Sequence, residues 1–239
     1  MNKIITISIL FITLNSFAQK TGIFLDKRDG IEYSTVRIGE ETWMAENLNA
    51  GTFRNGDPIP EAKTKKEWIE AAKKKQPAWC YYDNNSGNGS VHGKLYNYYA
   101  IIDPRELVPE GWLLPSDLEW EKLLKKLGGE KINNFENIST KLKAENKWGT
   151  KKTSNESGFS ALPSGMRMGY EKCGKKVKGN FVNFGTDTYY WSSSFTNHSR
   201  GCYLHLFIGF NDIYNGDYIY TSFPLEAGNG LSVRCYKND

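Results

Sequence analysis

The chain has 239 residues, with 31 lysines and arginines against 27 acids, for a formal charge of +4. Charged residues are 24% of the chain, too ordinary a share for a disordered tail, and the length is enough to bury a full core. Four surplus positive charges spread over it are too dilute for a nucleic-acid surface, so no nucleic-acid partner is expected.

The chain opens MNKIITISILFITLNSFA. Lys3 precedes an apolar run from Ile4 to Leu14, and Ser16, Phe17 and Ala18 offer small residues at the two positions that define cleavage. Residues 1–18 therefore read as an export leader, with Gln19 first in the mature chain. The run falls short of the ~20 apolar residues a membrane span needs, and no later segment is better suited. The expectation is an exported protein that does not span a membrane, whether periplasmic, cell-surface or secreted. Cys80, Cys173, Cys202 and Cys235 in that setting lean towards two disulfides, with three connectivities open. No two cysteines are separated by only two residues, and His92, His198 and His205 include no i, i+4 pair, so no zinc site is expected.

The segment GIEYSTVRIGEETWMAENL, from Gly30 to Leu48, alternates in period two, breaks at Gly39-Glu40-Glu41 and resumes, which predicts a β-hairpin. Residues 61–75 are rich in helix formers and end before Pro77, which cannot continue a helix. The stretch DNNSGNGSVHG from Asp83 to Gly93 reads as a polar loop. Ser116 and Glu119 form the reciprocal pattern of a capping box. Trp120, Leu123, Leu124 and Leu127 then share one helical face, and Gly128-Gly129 ends it. A poorer helix is expected over 132–142. From Gly158 the pattern turns to β, with Cys202 to Phe210 an alternating strand and Leu231 to Tyr236 a final one. Hairpin, two or three helices, then a mostly antiparallel β half with long loops make an α+β fold, with residues 19–239 as one domain.

By this point the chain resembles the Fibrobacter succinogenes major paralogous domain. The opening IGEETWMAENL (Ile38 to Leu48) is similar to that family's, and the blocks PAWCYYDN, GKLYNYYA, GWLLPSDLEW, GFSALPSG, WSSS and LSVRC follow in the family's order. Leu113 departs from it, standing where the family usually has His. The LPSDLEWEKL helix and the VRC end also resemble formylglycine-generating, sulfatase-modifying domains, and the resemblance implies a C-type-lectin-like fold with a loop-rich face. It further implies a Cys80–Cys235 bridge, since both lie in matching blocks, which leaves Cys173 and Cys202 for each other.

Catalysis is not expected. Formylglycine generation needs a reactive cysteine pair close in sequence, and Cys202 has no such neighbour. There is no GxSxG, HExxH or phosphate-binding glycine pattern. Glu46, Asp117 and Glu119 have structural explanations, the latter two at a helix N-terminus. Calcium-dependent lectins use a Glu-Pro-Asn triplet that is absent here, and Phe210-Asn211-Asp212 reads as a turn, so neither metal nor cofactor is expected. Aromatic faces stack on sugar rings while amides and charges fix their hydroxyls. Trp43, Trp79, Trp112, Trp120 and Trp191 belong to the blocks and are expected in the core. The freer aromatics lie in the β half, Tyr189 and Tyr203 among them. The expected ligand face is Tyr170, Asn183, Asn197, His198, Arg200, Asn211, Tyr214 and Tyr218. The reading is a non-catalytic module for a glycan or another surface molecule. The alternatives are an envelope protein with a protein partner and, third, an enzyme related to formylglycine-generating domains.

Overall fold

The computed structural model describes residues 20–128, 136–149, 152–169, 179–197, 200–208 and 217–239. Of these, 136–137, 195–197, 200–208 and 217–224 are described by their backbone alone. The expected leader, residues 1–18, lies outside them.

The chain enters through β1 (Thr21–Asp26), turns at Gly30 and returns antiparallel as β2 (Ile31–Ile38). A two-residue turn at Gly39-Glu40, with Gly39 at φ 71°, leads into β3 (Glu41–Met44), which is the expected hairpin. β1 was not expected. Its binary pattern is inverted, with Ile23 (72% exposed) and Leu25 outward and Asp26 buried, so it does not read as a half-buried strand.

The 61–75 helix forms as α1 (Lys65–Lys74). Thr64 and Glu67 close a capping box at its start, and Lys75 ends it in the left-handed conformation. β4 (Trp79–Cys80) follows. The polar loop is largely structured, with two 3₁₀ turns (Tyr82–Asn84 and Ser86–Asn88) and the short α2 (Gly89–His92). Then come β5 (Leu95–Asn97), α3 (Tyr98–Ile101) and α4 (Asp117–Lys126). α4 has the expected Ser116/Glu119 capping box and buries Trp120, Leu123 and Leu124. α5 (Glu136–Leu142) is the described part of the poorer helix.

The β half comprises β6 (Ser164–Arg167), β7 (Phe181–Phe184), β8 (Asp187–Asn197), β9 (Arg200–Ile208) and β10 (Asp217–Glu226). The single final strand is instead two, β11 (Gly230–Leu231) and β12 (Tyr236–Asn238). Between them the chain crosses from one sheet to the other. Ser232 bridges Tyr190, Val233 O accepts from Leu48 N–H, and Cys235 O accepts from Met44 N–H, before Tyr236 pairs with Trp43. Those bonds leave no room for a continuous ladder.

The result is an α+β molecule. One sheet has the order β1-β2-β3-β12; the other runs β10-β9-β8-β6-β11-β5-β4, with β7 on β6. Apart from the parallel β6–β8 contact, the strands pair antiparallel. The largest apolar cluster joins both sheets through Tyr33, Met44, Tyr96, Trp191 and Leu231. A second seats α4 and α5 on Val36, Ile38, Trp43 and Tyr236, and a third lies under α1 around Trp68 and Cys80. Trp43, Trp79, Trp112, Trp120 and Trp191 are all buried, as expected.

The expected Cys80–Cys235 bridge is corrected: both thiols are free and buried. Cys80 packs in the cluster under α1 and Cys235 in the one joining the sheets, so the fold separates them. Burial pushes the Cys80 thiol up to about 11 and that of Cys235 to about 12, which keeps both protonated and unreactive near neutrality. Cys173 lies outside the described residues, and Cys202 is described only as a residue of β9.

Candidate functional site

Tyr170, His198, Asn211 and Tyr214 lie outside the described residues. Asn197 and Arg200 are register partners at the end of the β8–β9 hairpin, and Tyr218 on β10 stands opposite Phe207 on β9. Tyr189 is not a ligand-face residue but part of the core, 6% exposed, because the parallel β6–β8 contact draws that end of β8 inward. Its hydroxyl accepts from Asn183 Nδ2 at 2.6 Å and donates to Asp187 Oδ1 at 3.1 Å. Asn183 itself is exposed near the end of β7 at φ 63°, a conformation that Asn tolerates better than most residues.

The next residue is the one sequence reasoning missed. Phe184 is 41% exposed; the other large apolar side chains exposed to that degree among the described residues are aliphatic. Its ring leans on Tyr82 (centroids 4.5 Å apart, planes at 31°) and on His92 (4.7 Å, 57°). Burial, then Asp83, raises the Tyr82 pKa. Gly165, at φ 63°, makes this approach possible. A Cβ there would lie 2.6 Å from Val182 O and 2.7 Å from the Tyr82 ring. The neighbouring loop is held by its own amides, with Asn85 Oδ1 accepting from Gly87 N–H (2.9 Å) and Asn88 Nδ2 donating to Tyr82 O (2.9 Å). An exposed aromatic on fixed supports, edged by Asn183 and an Asn-rich loop, is a platform suited to a flat apolar face carrying polar groups.

Under the platform runs a buried polar chain. Arg234 Nη2 donates to Asn47 Oδ1 at 2.7 Å. Asn47 Nδ2 reaches His92 O (2.9 Å), Ser164 Oγ (3.2 Å) and Ser232 Oγ (3.3 Å). Ser164 Oγ in turn lies 3.1 Å from His92 Nδ1 and donates to Leu162 O at 3.2 Å. A Ser–His contact is the core of nucleophilic catalysis. Here Ser164 is 1% exposed and all its hydrogen-bonding capacity is taken, so a substrate has no access to it. Arg234 is enclosed, stacked on Phe159 (4.4 Å), and burial lowers its pKa against the opposing pull of Tyr190 and Glu46. The AENL, LPSG and VRC blocks thus meet in one interior network. Glu46 accepts from Ser34 N–H, and Glu119 caps α4. These are structural roles.

A separate cavity of about 380 Å³ lies between the β1–β2 turn and residues 109–111, lined by Phe24, Lys27, Arg28, Arg54 and Glu110 among others. Its strongest donors are engaged in holding the walls. Arg28 is paired with Asp26 (2.6 Å) and donates to Thr52 O and Leu107 O, while Arg54 is paired with Glu106 and donates to Val108 O. The Phe184 platform is therefore the better candidate. Among the described residues no group of three or more His, Cys, Asp or Glu side chains is placed to hold a metal, and no helix is long and apolar enough to cross a membrane.

Fold and site together define an α+β domain of antiparallel sheets, its shared motifs buried and one aromatic platform exposed above them. The Fibrobacter succinogenes major domain matches residues 36–237, and the chain belongs to that family. No curated protein and no solved structure matches it.

Proposed function

We propose that the chain is an exported, non-catalytic recognition module with a C-type-lectin-like fold that holds a glycan of the cell surface or its surroundings. The observation that carries this reading is the exposed Phe184 ring, braced by Tyr82 and His92 and bordered by Asn183. A sugar's C–H face stacks on such a ring, and the amide edge reads its hydroxyls. The burial of Ser164 and of both described thiols supports a non-catalytic role. The test is a polysaccharide binding array with the folded protein, followed by titration of each hit. Phe184→Ala should weaken binding about tenfold, the ~1.4 kcal/mol of one stacking contact, without changing the melting temperature. Binding that ignores Phe184→Ala would remove the platform from the reading.

The protein-partner alternative draws on a different surface. β1 is an edge strand with Ile23 and Leu25 outward, able to accept a further strand. Capture of an envelope protein that Ile23→Asp abolishes, with no sugar bound, would favour it.

A further inference from the structure

The hydrogen bonds under the platform determine which nitrogen of His92 carries the proton. Ser164 Oγ has one proton and two acceptor positions, and three neighbours claim them. The Leu162 carbonyl, which also accepts the Ser164 backbone N–H at 2.8 Å, only accepts, so its 3.2 Å contact with Oγ takes the hydroxyl proton. The Asn47 amide nitrogen only donates, and its orientation is set independently, because Asn47 Oδ1 must face the Arg234 guanidinium. One acceptor position remains on Ser164, so the His92 contact at 3.1 Å is Nδ1–H donating to Oγ. A neutral ring protonated at Nδ1 carries its lone pair on Nε2. Among the described residues that atom has no hydrogen-bond partner. The imidazole is only partly buried and packs beside the Phe184 ring at 4.7 Å, which leaves its Nε2 edge open to a ligand.

We infer that His92 is the specificity-determining residue of the platform, presenting Nε2 as a fixed acceptor to a ligand hydroxyl that stands next to the ring stacked on Phe184. The inference rests on the glycan reading and deepens it: the ligand is a sugar with a free hydroxyl donor at that point, and an alkylated or anionic group there is rejected. The groups around the imidazole are Ser164, Asn47 and Phe184, all uncharged, and the cation Lys147 acts on it from a distance. Burial first, then Lys147, holds the His92 pKa below its ordinary 6.5, so the ring is neutral at pH 7. Acidification puts a proton on Nε2, turns the acceptor into a donor and abolishes the match. Binding is therefore full near neutrality and lost as pH falls through the lowered pKa.

The experiment is a titration of the array's strongest oligosaccharide, from pH 7.5 down to 5, with wild type, His92→Gln and Phe184→Ala, melting temperatures recorded in parallel. In wild type, affinity should fall about tenfold for each pH unit below the His92 pKa. His92→Gln keeps an acceptor without a titrating proton and should bind with a flat profile. Methylating the sugar's hydroxyls one at a time should identify one position whose loss matters in wild type. Nitrogen shifts of the free protein's imidazoles, assigned by the signal missing in His92→Gln, should show the proton on Nδ1. A flat wild-type profile with binding still sensitive to Phe184→Ala overturns the role of His92 and leaves the platform standing. Nε2 found protonated at pH 7 overturns it as well. Binding to no glycan overturns both readings, and glycan binding insensitive to Phe184→Ala removes the platform and with it the role of His92.

Discussion

Asn47 shows at the scale of one side chain how a motif residue is used. It is 5% exposed, and its amide joins Arg234, His92, Ser164 and Ser232. Asn47→Ala strands the Arg234 guanidinium and the Ser164 hydroxyl in the interior and should cost ~2–4 kcal/mol in urea denaturation. Lys94 makes a second residue-scale case. Its ammonium is buried over the Trp79 ring at 4.5 Å and donates to the Asn49 side chain at 2.8 Å. Burial pushes its pKa down from 10.5 to about 8. Above pH 8 the unfolded chain then binds more protons at this site than the folded one, so stability rises with pH. Cys80 and Cys235 have the opposite sign, their folded pKa values standing above the ordinary 9.0. Beyond that pH the unfolded state loses protons that the folded state keeps, and stability falls. Folding free energy should therefore peak near pH 9, and Lys94→Met should erase the rise between about 8 and 9. A monotonic decline from pH 7 in wild type would contradict the assignment.

At the scale of elements, two local devices set geometry that the platform and core depend on. The Ser116 cap holds the start of α4, and through it Trp120, Leu123 and Leu124 on the sheet. Ser116→Ala should lower stability by ~1 kcal/mol, measured by thermal melting. Gly165 has a larger part, because its positive φ and missing Cβ let Tyr82 and β7 close on β6. Gly165→Ala should cost ~2 kcal/mol and shift the Phe184 ring, seen as lost glycan binding in a protein that still folds. A melting temperature within a degree of wild type would show that the contact relaxes more easily than its 2.6 Å spacing indicates.

Over the whole molecule, apolar clusters joining both sheets and seating the helices isolate the two described free thiols from solvent and from each other. Native protein should leave Cys80 and Cys235 unreactive towards a maleimide, and both should label together when the chain unfolds globally. Labelling of Cys80 alone in mild urea would mean that the cluster under α1 opens independently of the rest.

Much of this was readable in order along the chain. The hairpin, α1, the capping box of α4 and the α+β order follow from local rules: period-two alternation, a reciprocal cap, a proline that stops a helix. The five core tryptophans and the family were legible for a related reason, since the blocks are short contiguous strings. β1 was not, because its outward apolar residues invert the pattern that marks a strand. The Cys80–Cys235 pairing failed because being in shared blocks says nothing about which cluster a residue joins. Of the expected ligand face, Asn183 borders the platform, and Phe184, one position on, was not among the expected residues. The sequence alone determined the local elements and the interior motifs, where each residue's neighbours along the chain decide its conformation. Only the tertiary structure decided that Phe184 faces out, that Tyr82 and His92 brace it, and that His92 Nε2 is left open. Each of those outcomes depends on partners 72 to 187 positions away in the chain.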